Sequence, residues 1–291
     1  MFRASRLIGA FARAFAPDAE SAVIANSQTN SQTNNANASE DKEAGVLAAV
    51  RQAQSAPTTG ARAPVPVDPD YLRALKTLGR AGNDPRVRLI QNQCLKMTMN
   101  LFNRPDRLTR SIGFTSAIPG EGKSFLATLT ATTLAERSQR QVTLLDCNWE
   151  HPTQHETFQL PESPGLAEWL RGECDLSDIR HAVSQYLSII PAGISGVASL
   201  ALTERLRGMG ASALLSNPDE ALIVDLPSVL TTDYGALLPQ ALDAVMLVVR
   251  AGVTQDGYIA EASRELAEAP LEGAILNGAR SDIPKWLLRL L

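Results

Sequence analysis

A short glycine-containing segment carries the clearest chemistry in this 291-residue sequence. The segment AIPGEGKS, residues 117–124, has the spacing of a phosphate-binding loop, G/A-x-x-x-x-G-K-[ST]. Gly120 and Gly122 let backbone N–H groups turn toward phosphates, Lys123 supplies a cation, and the Ser124 hydroxyl can reach Mg²⁺. An apolar run precedes the loop and a helical pattern follows it, so we predict binding of Mg-ATP. The residues expected to contact the nucleotide here are Pro119, Gly120, Glu121, Gly122, Lys123, Ser124 and Phe125.

Two further apolar runs each end in an aspartate. VTLLD ends at Asp146 and ALIVD ends at Asp225. Because the carboxyl ends of parallel strands share one edge of a sheet, we expect both carboxylates to face the phosphates and to hold Mg²⁺ or its waters. The alternative for each is a cap on the following segment. We therefore predict catalytic roles for Lys123, Asp146 and Asp225, and a metal site formed by Ser124, Asp146 and Asp225.

The elements that must position these residues alternate along the chain. Apolar residues at helical spacing predict helices over residues 87–101 and 123–137. Short apolar runs predict strands at residues 111–116, 142–146, 187–190, 222–225, 244–250 and 273–277. Short apolar strands alternating with helices are typical of an α/β fold, so we predict a P-loop NTPase with a mostly parallel sheet and helices on both faces.

The first part of the chain has a different composition. Residues 26–43 are almost wholly polar, and residues 55–70 carry four prolines. We predict a disordered N-terminal region and linker over residues 1–69, followed by one folded domain over residues 70–291. Residues 2–15 have the spacing of an amphipathic helix that would lie on a membrane or a partner, and a frayed tail is the alternative.

Overall composition excludes several classes of protein. The 27 basic and 31 acidic side chains give a formal net charge of -4, so we expect no nucleic-acid partner. The three cysteines form no C-x-x-C pair, which disfavours a disulfide framework or a zinc site and fits a reducing cytoplasm. No stretch approaches the roughly 18 consecutive apolar residues that a membrane span requires.

Residues from about 85 to 280 resemble the bacterial tyrosine kinases, cytoplasmic ATPase-kinase modules that regulate capsule and exopolysaccharide export. The resemblance follows the order of the family's motifs. The matching segments are SAIPGEGKS (116–124), DCNWEHP (146–152), PGL with LRG (164–172), LSIIPAG (187–193), DLPS (225–228), ALDAVMLVVRAGVT (241–254) and GAILN (273–277).

The resemblance implies ATP and Mg²⁺ as cofactors and a tyrosine-kinase-like role in exopolysaccharide synthesis or export. It also implies a cytoplasmic location, at the periphery of the inner membrane, with a transmembrane polysaccharide co-polymerase as partner and with assembly into a homo-oligomer. In related ATPases an asparagine at the position of Asn277 contacts adenine, although Asn277 could instead be a strand-terminal turn residue. Partition and septum-placing ATPases carry a signature lysine where this chain has Ile118, which favours the kinase branch.

The sequence also departs from the family pattern. Asn148 stands where the kinases have a second aspartate, Glu150 replaces an arginine, and Ser228 replaces a proline. The family's Glu-x-x-Arg-x-x-Arg ring-contact pattern is absent, because Asn92, Leu95 and Thr98 stand at its three positions. No tyrosine cluster follows the matching region. We therefore expect a kinase-like protein with weakened catalysis. The alternatives are a non-catalytic ATP-dependent scaffold and an ATPase of the partition or septum-placing type.

The last residues, 282–291, form a second amphipathic pattern. DIPKWLLRLL places its apolar side chains on one helical face and its two basic side chains on another. Such a helix could contact a membrane or a partner, or it could close the core of the domain.

Overall fold

The computed structural model describes residues 21–26, 85–196 and 198–279, whose strands form a single eight-stranded sheet. The strands are β1 (Ser21–Asn26), β2 (Ser111–Ser116), β3 (Val142–Asp146), β4 (His181–Ala182), β5 (Leu187–Ile190), β6 (Ala221–Ser228), β7 (Ala244–Arg250) and β8 (Leu271–Ala279). Their order across the sheet is β1-β8-β7-β2-β6-β3-β5-β4.

The six strands from β8 to β5 in this order are parallel, and only the two outermost strands run antiparallel to their neighbours. The predicted mostly parallel α/β sheet is therefore confirmed. Four predicted strands have the predicted bounds, while β6 and β8 are longer at both ends. Strands that are buried on both faces are rich in apolar residues, and this enrichment made their positions predictable from the sequence.

Seven α-helices connect the strands within the described residues. They are α1 (Pro85–Phe102), α2 (Lys123–Ser138), α3 (Gln154–Phe158), α4 (Leu166–Arg171), α5 (Leu176–Ile179), α6 (Ser199–Met209) and α7 (Asp256–Glu265). The α1 helix begins with a proline, which suits a first helical position because its missing N–H has no partner there. Helices α1 and α2 extend one or two residues beyond their predicted bounds.

The sheet separates two hydrophobic layers. Strand β7 shows the division, because Met246 and Val248 enter one core while Leu247 and Val249 enter the other. The first layer packs under α1 and α2, and the second packs under α4, α6 and α7. Alternate side chains of a strand point to opposite faces, so both faces of β7 must be covered by helices.

Strand β1 is one of the two outermost strands of the sheet. It lies inside the region 1–69 that was predicted to be disordered, and it pairs with β8, with Ser21 opposite Ala279 and Asn26 opposite Gly273. Ala22, Val23 and Ile24 of this strand are apolar and precede the polar run that begins at residue 26. The disorder predicted for residues 1–69 as a whole stays a prediction. The rest of residues 1–69, including the predicted helix at 2–15, lies outside the described residues.

Candidate nucleotide-binding site

The predicted phosphate loop lies between the end of β2 and the start of α2. Gly122 is the N-cap of α2, with φ 95°, and Gly120 has φ 83°, so both adopt a backbone conformation that favours glycine. A Cβ atom at position 122 would lie 2.1 Å from the Nδ2 atom of Asn277. The local conformation and the close approach thus both require glycine at position 122, and the loop leads directly into a helix N-terminus that favours anions.

Lys123 reaches from the first turn of α2 toward the end of β6. Its side chain is largely buried, its ammonium donates to the Ser124 hydroxyl at 3.1 Å, and it lies 3.7 Å from Oδ1 of Asp225. Asp225 is fully buried, and its Oδ1 accepts no hydrogen bond from a described residue. A buried carboxylate oxygen without a donor is costly unless a cation satisfies it, so this oxygen has the chemistry of a cation-binding position.

Asp146 lies beside Asp225, because the two residues are register partners on β3 and β6. Its Oδ1 accepts the N–H of Asn148 at 3.0 Å, and its Oδ2 accepts the N–H groups of Thr153 at 3.0 Å and Gln154 at 3.1 Å. Complete burial, followed by the charge of Asp225, raises the pKa of Asp146 to about 7, against the lowering effect of these donors. The two carboxylates form one buried acidic pair.

These residues fit a magnesium ion bound together with a nucleotide. Mg²⁺ is usually held by one or two carboxylates, with phosphate oxygens and water completing an octahedron. The Ser124 hydroxyl and the unpartnered oxygen of Asp225 are available as metal ligands. The two oxygens of Asp146 are directed at backbone donors instead. Asp225 is therefore better placed than Asp146 as a direct ligand.

Gln154 is a site residue that the sequence analysis missed. It begins α3 and is 1% exposed. Its Nε2 donates to Oδ2 of Asp225 at 2.9 Å, and its Oε1 lies 2.8 Å from the Thr128 hydroxyl. A glutamine after a motif carries no periodic signal; its spacing eight residues after Asp146 was the only hint available in the sequence.

Glu121 and Asn277 fasten the loop to the sheet. The Glu121 carboxylate accepts the Ile118 N–H at 3.0 Å and the Thr254 hydroxyl, and burial raises its pKa. Asn277 donates through Nδ2 to the Glu121 carbonyl at 2.9 Å. Neither role predicted for Asn277, the adenine contact or the turn residue, includes this hydrogen bond, because its partner lies 156 residues away along the chain. The Glu121 carboxylate and the Asn277 Nδ2 group are thus both directed at protein atoms.

A cleft of about 240 Å³ opens beside the loop. Its lining residues are Pro119, Gly120, Lys123, Ser124, Asn148, Glu150, His151, Thr153, Ser228, Thr231 and Thr232. Phe125 lies on the other side, partly buried against the α1–α2 core. Residues of the phosphate loop thus line the cleft together with Asn148, Glu150 and Ser228. These are the three positions near the loop at which the sequence departs from the family pattern.

Each departure has a distinct setting. Asn148 is buried, and its Nδ2 donates to the His151 carbonyl at 2.8 Å. Ser228 lies with its hydroxyl 3.1 Å from that of Ser116, at the start of the phosphate loop. Glu150 is exposed and makes no ion pair with another residue in the described ranges. An amide and a carboxylate that has no ion pair among the described residues therefore line the cleft.

Two other motif segments meet each other away from the cleft. The PGL segment starts α4, and the N–H of Leu166 donates to the carbonyl of Pro191 at 2.8 Å, just after β5. Glu168 accepts the N–H groups of Gly165 at 2.8 Å and Ile194 at 3.0 Å. These segments form a structural joint and contribute no side chain to the cleft.

Ile118 and the predicted ring-contact positions are directed inward or at the chain itself. Ile118 is packed partly buried against the core, so it offers no cation. Thr98 is fully buried and donates to the Cys94 carbonyl, while Asn92 accepts a hydrogen bond from Arg137 at 2.9 Å.

No described helix is long and apolar enough to cross a bilayer.

Comparison with known proteins agrees with this geometry. No protein-family model matches the chain. The tyrosine-protein kinase YwqD of Bacillus subtilis is 29% identical over 184 residues, which cover 62% of this chain and 76% of that protein. The tyrosine-protein kinase ptk of Acinetobacter johnsonii is 31% identical over 138 residues, but these cover 47% of this chain and only 19% of that protein.

A solved structure extends the likeness to the fold. The BceF tyrosine kinase domain is 27% identical and superposes with a TM-score of 0.59, covering 79% of this chain and 96% of that domain. The superposition covers nearly all of that domain, so its sheet and helices have counterparts here.

Proposed function

This chain is a relative of the bacterial tyrosine kinases, and from that premise we propose that it is an ATP-dependent, tyrosine-kinase-like regulator of exopolysaccharide or capsule synthesis or export. The observation that carries the proposal is the buried Oδ1 of Asp225, which has no hydrogen-bond donor and lies 3.7 Å from the Lys123 ammonium. A protein tolerates such an oxygen where a cation completes it. The arrangement therefore supports Mg-ATP as the ligand.

The roles of the residues follow from their positions. Lys123 and the loop N–H groups would stabilise negative charge on the γ-phosphoryl group, and Ser124 with Asp225 would hold Mg²⁺. Bound Mg²⁺ supplies neutralisation of the charge that develops on the phosphate oxygens. Asp146 would orient or deprotonate the acceptor hydroxyl, and a pKa of about 7 suits a group that must accept a proton near neutral pH.

Catalysis is the weaker half of the proposal. Asn148 replaces an acid, and its amide is engaged with the loop carbonyl of His151, so it adds no charge to the metal side of the cleft. Tyr234 is 2% exposed, whereas Tyr258 is 40% exposed on α7. Tyr258 is thus the better placed acceptor of the two. The missing acid at position 148, and not the exposure of Tyr258, favours the second candidate function, a scaffold that binds ATP and transfers little phosphate.

The partners of this activity are proposed on the family relationship. A transmembrane polysaccharide co-polymerase would recruit the chain to the cytoplasmic side of the inner membrane, with the chain acting as a homo-oligomer. The position of Ile118 disfavours the partition or septum-placing alternative, because a partly buried isoleucine cannot replace a signature lysine.

The first test is nucleotide binding. Mg-ATP should raise the thermal unfolding midpoint of the full chain, since a ligand that binds only the native state stabilises it. Lys123→Met should abolish this shift, because it removes the cation next to Asp225. Arg205→Met, on the exposed side of α6, serves as the control and should behave like the unmodified protein. Equal shifts with Lys123→Met would contradict the assignment.

The second test is phosphotransfer. Purified chain with labelled ATP and Mg²⁺ should show weak autophosphorylation by mass spectrometry, and Asn148→Asp should increase it if the missing acid limits the rate. A lost carboxylate near a metal typically costs about 10²-fold or more in rate. Strong phosphorylation of Tyr258 in the unmodified protein would instead restore an ordinary autokinase and reject the scaffold.

A further inference from the structure

We infer that Gln154 is the positioning residue that aims Asp225 at the magnesium ion, which rests on the proposed Mg-ATP function. Gln154 is hydrogen-bonded to two of the three predicted magnesium-binding residues, Asp146 and Asp225, and to the helix that carries the third, Ser124. The sequence analysis gives Gln154 no role. Its side-chain amide binds Asp225, its backbone N–H binds Asp146, and its amide oxygen binds the helix that carries Ser124.

The chemistry of the partners fixes the orientation of the Gln154 amide. An ionised carboxylate can only accept hydrogen bonds, so the NH₂ group must face Oδ2 of Asp225, at 2.9 Å. The amide oxygen then faces the Thr128 hydroxyl at 2.8 Å. With both ends of the amide engaged and 1% of the residue exposed, its rotation would break two buried hydrogen bonds.

This orientation separates the two oxygens of Asp225. Oδ2 is held by Gln154, and Oδ1 is left without a donor beside the Lys123 ammonium. If the Gln154 amide were absent, the carboxylate could turn and place either oxygen toward the lysine. Gln154 therefore determines which lone pairs of Asp225 remain for a cation.

The Thr128 hydroxyl extends the network to the phosphate loop. It also lies 2.8 Å from the Ser124 carbonyl, one turn earlier on α2, so one hydroxyl proton is shared between two acceptors. The network joins α2 and α3 to the ends of β3 and β6, and Mg²⁺ would bind where these elements meet. A group that supports metal ligands from behind in this way contributes to metal affinity without touching the metal.

The test measures how much Mg²⁺ strengthens nucleotide binding. Affinity of the full chain for a fluorescent ATP analogue is measured with Mg²⁺ and with EDTA, and the ratio of the two is compared among variants. Gln154→Met keeps the volume of the side chain but removes both amide contacts. We expect this ratio to fall roughly 10- to 100-fold, the usual loss when a residue behind a metal ligand is removed.

Thr128 supplies the matched variants. Thr128→Val should lower the same ratio by a smaller factor, and Thr128→Ser, which restores a hydroxyl, should return it to the unmodified value. Thr132→Val is the control, because the Thr132 hydroxyl donates only to carbonyls within α2. A general packing defect would lower affinity in EDTA and in Mg²⁺ alike and leave the ratio unchanged.

The outcomes distinguish this inference from the function on which it rests. An unmodified protein that binds no ATP with or without Mg²⁺ would reject the proposed function and the inference together. If the unmodified protein shows Mg²⁺-dependent binding and both Gln154→Met and Thr128→Val keep its ratio, only the inference is overturned. Should Gln154→Met fail to fold, the Thr128 pair decides alone.

Discussion

Two buried carboxylates side by side have a consequence for stability. Asp146 and Asp225 are both 0% exposed and are register partners on adjacent strands. Burial and the neighbouring charge favour the protonated form of Asp146, whereas an unfolded chain would release that proton at a much lower pH. The apo protein therefore carries a destabilising charge once Asp146 ionises.

The resulting pH dependence can be measured. The pKa of Asp146 rises from 3.8 to about 7 on folding, so the native state holds more protons than the unfolded state between these values. The free energy of unfolding should then fall as pH rises through this window, by an amount on the order of a few kcal/mol, and level off above it. Urea unfolding in EDTA at several pH values tests this.

Asp146→Asn removes the titrating group and should flatten that pH dependence, whatever its effect on absolute stability. Asp233→Asn, at an exposed position, is the control and should retain the slope of the unmodified protein. An unchanged slope in Asp146→Asn would show that another group causes the pH dependence.

The phosphate loop is attached to the ends of two strands beyond it. Oε1 of Glu121 accepts the Arg250 N–H at 3.4 Å, at the end of β7, and the Thr254 hydroxyl, in the turn that follows β7. Asn277 of β8 holds the Glu121 carbonyl. The loop conformation thus depends on residues that lie about half of the domain's length further along the chain. A change at the end of β7 should therefore alter phosphate binding by the loop.

Glu121→Gln tests this attachment. A glutamine has one accepting oxygen, so its NH₂ group must face either the Ile118 N–H or the Thr254 hydroxyl and the Arg250 N–H, which are hydrogen-bonded to each other at 3.0 Å. An unsatisfied buried donor costs about 1–3 kcal/mol, and we expect a loss of this size in the free energy of unfolding, with weaker ATP binding. Glu162→Gln, on an exposed loop, is the control for the change of charge. Retention of full stability would mean that the carboxylate is dispensable.

At the scale of the whole molecule, the candidate site lies at the edge where the parallel strands end. Strands β2, β3 and β6 are neighbours there, and they deliver the loop, Asp146 and Asp225 to one place. The two segments proposed to contact a membrane, residues 2–15 and 282–291, lie outside the described residues. Their membrane role stays a prediction.

Liposome co-sedimentation of the full chain and of a chain ending at residue 281 tests the second segment. An apolar face bordered by basic side chains should bind vesicles that contain anionic lipid, and the shortened chain should bind less. Neutral vesicles are the control for the electrostatic part. Both chains remaining in the supernatant would contradict membrane contact through residues 282–291.

The sequence by itself determined the fold class, the bounds of four strands and the principal charged groups of the site. Strands β2, β3, β5 and β7 could be predicted because each is a short, largely apolar run that stands between helical patterns. Lys123 and Ser124 were readable because the phosphate loop needs fixed local spacing, and Asp146 and Asp225 because each ends such a run. These signals are local, so one sequence suffices to detect them.

Only the tertiary structure decided which of these groups meet and how they are held. The Gln154–Asp225 contact spans 71 residues, the Glu121–Thr254 contact 133, and the Asn277–Glu121 contact 156. The pairing of β1 with β8 is more distant still, with Ser21 and Ala279 258 residues apart. Side-chain hydrogen bonds between remote elements produce no periodic pattern in the sequence, because they depend on the spatial order of the strands across the sheet.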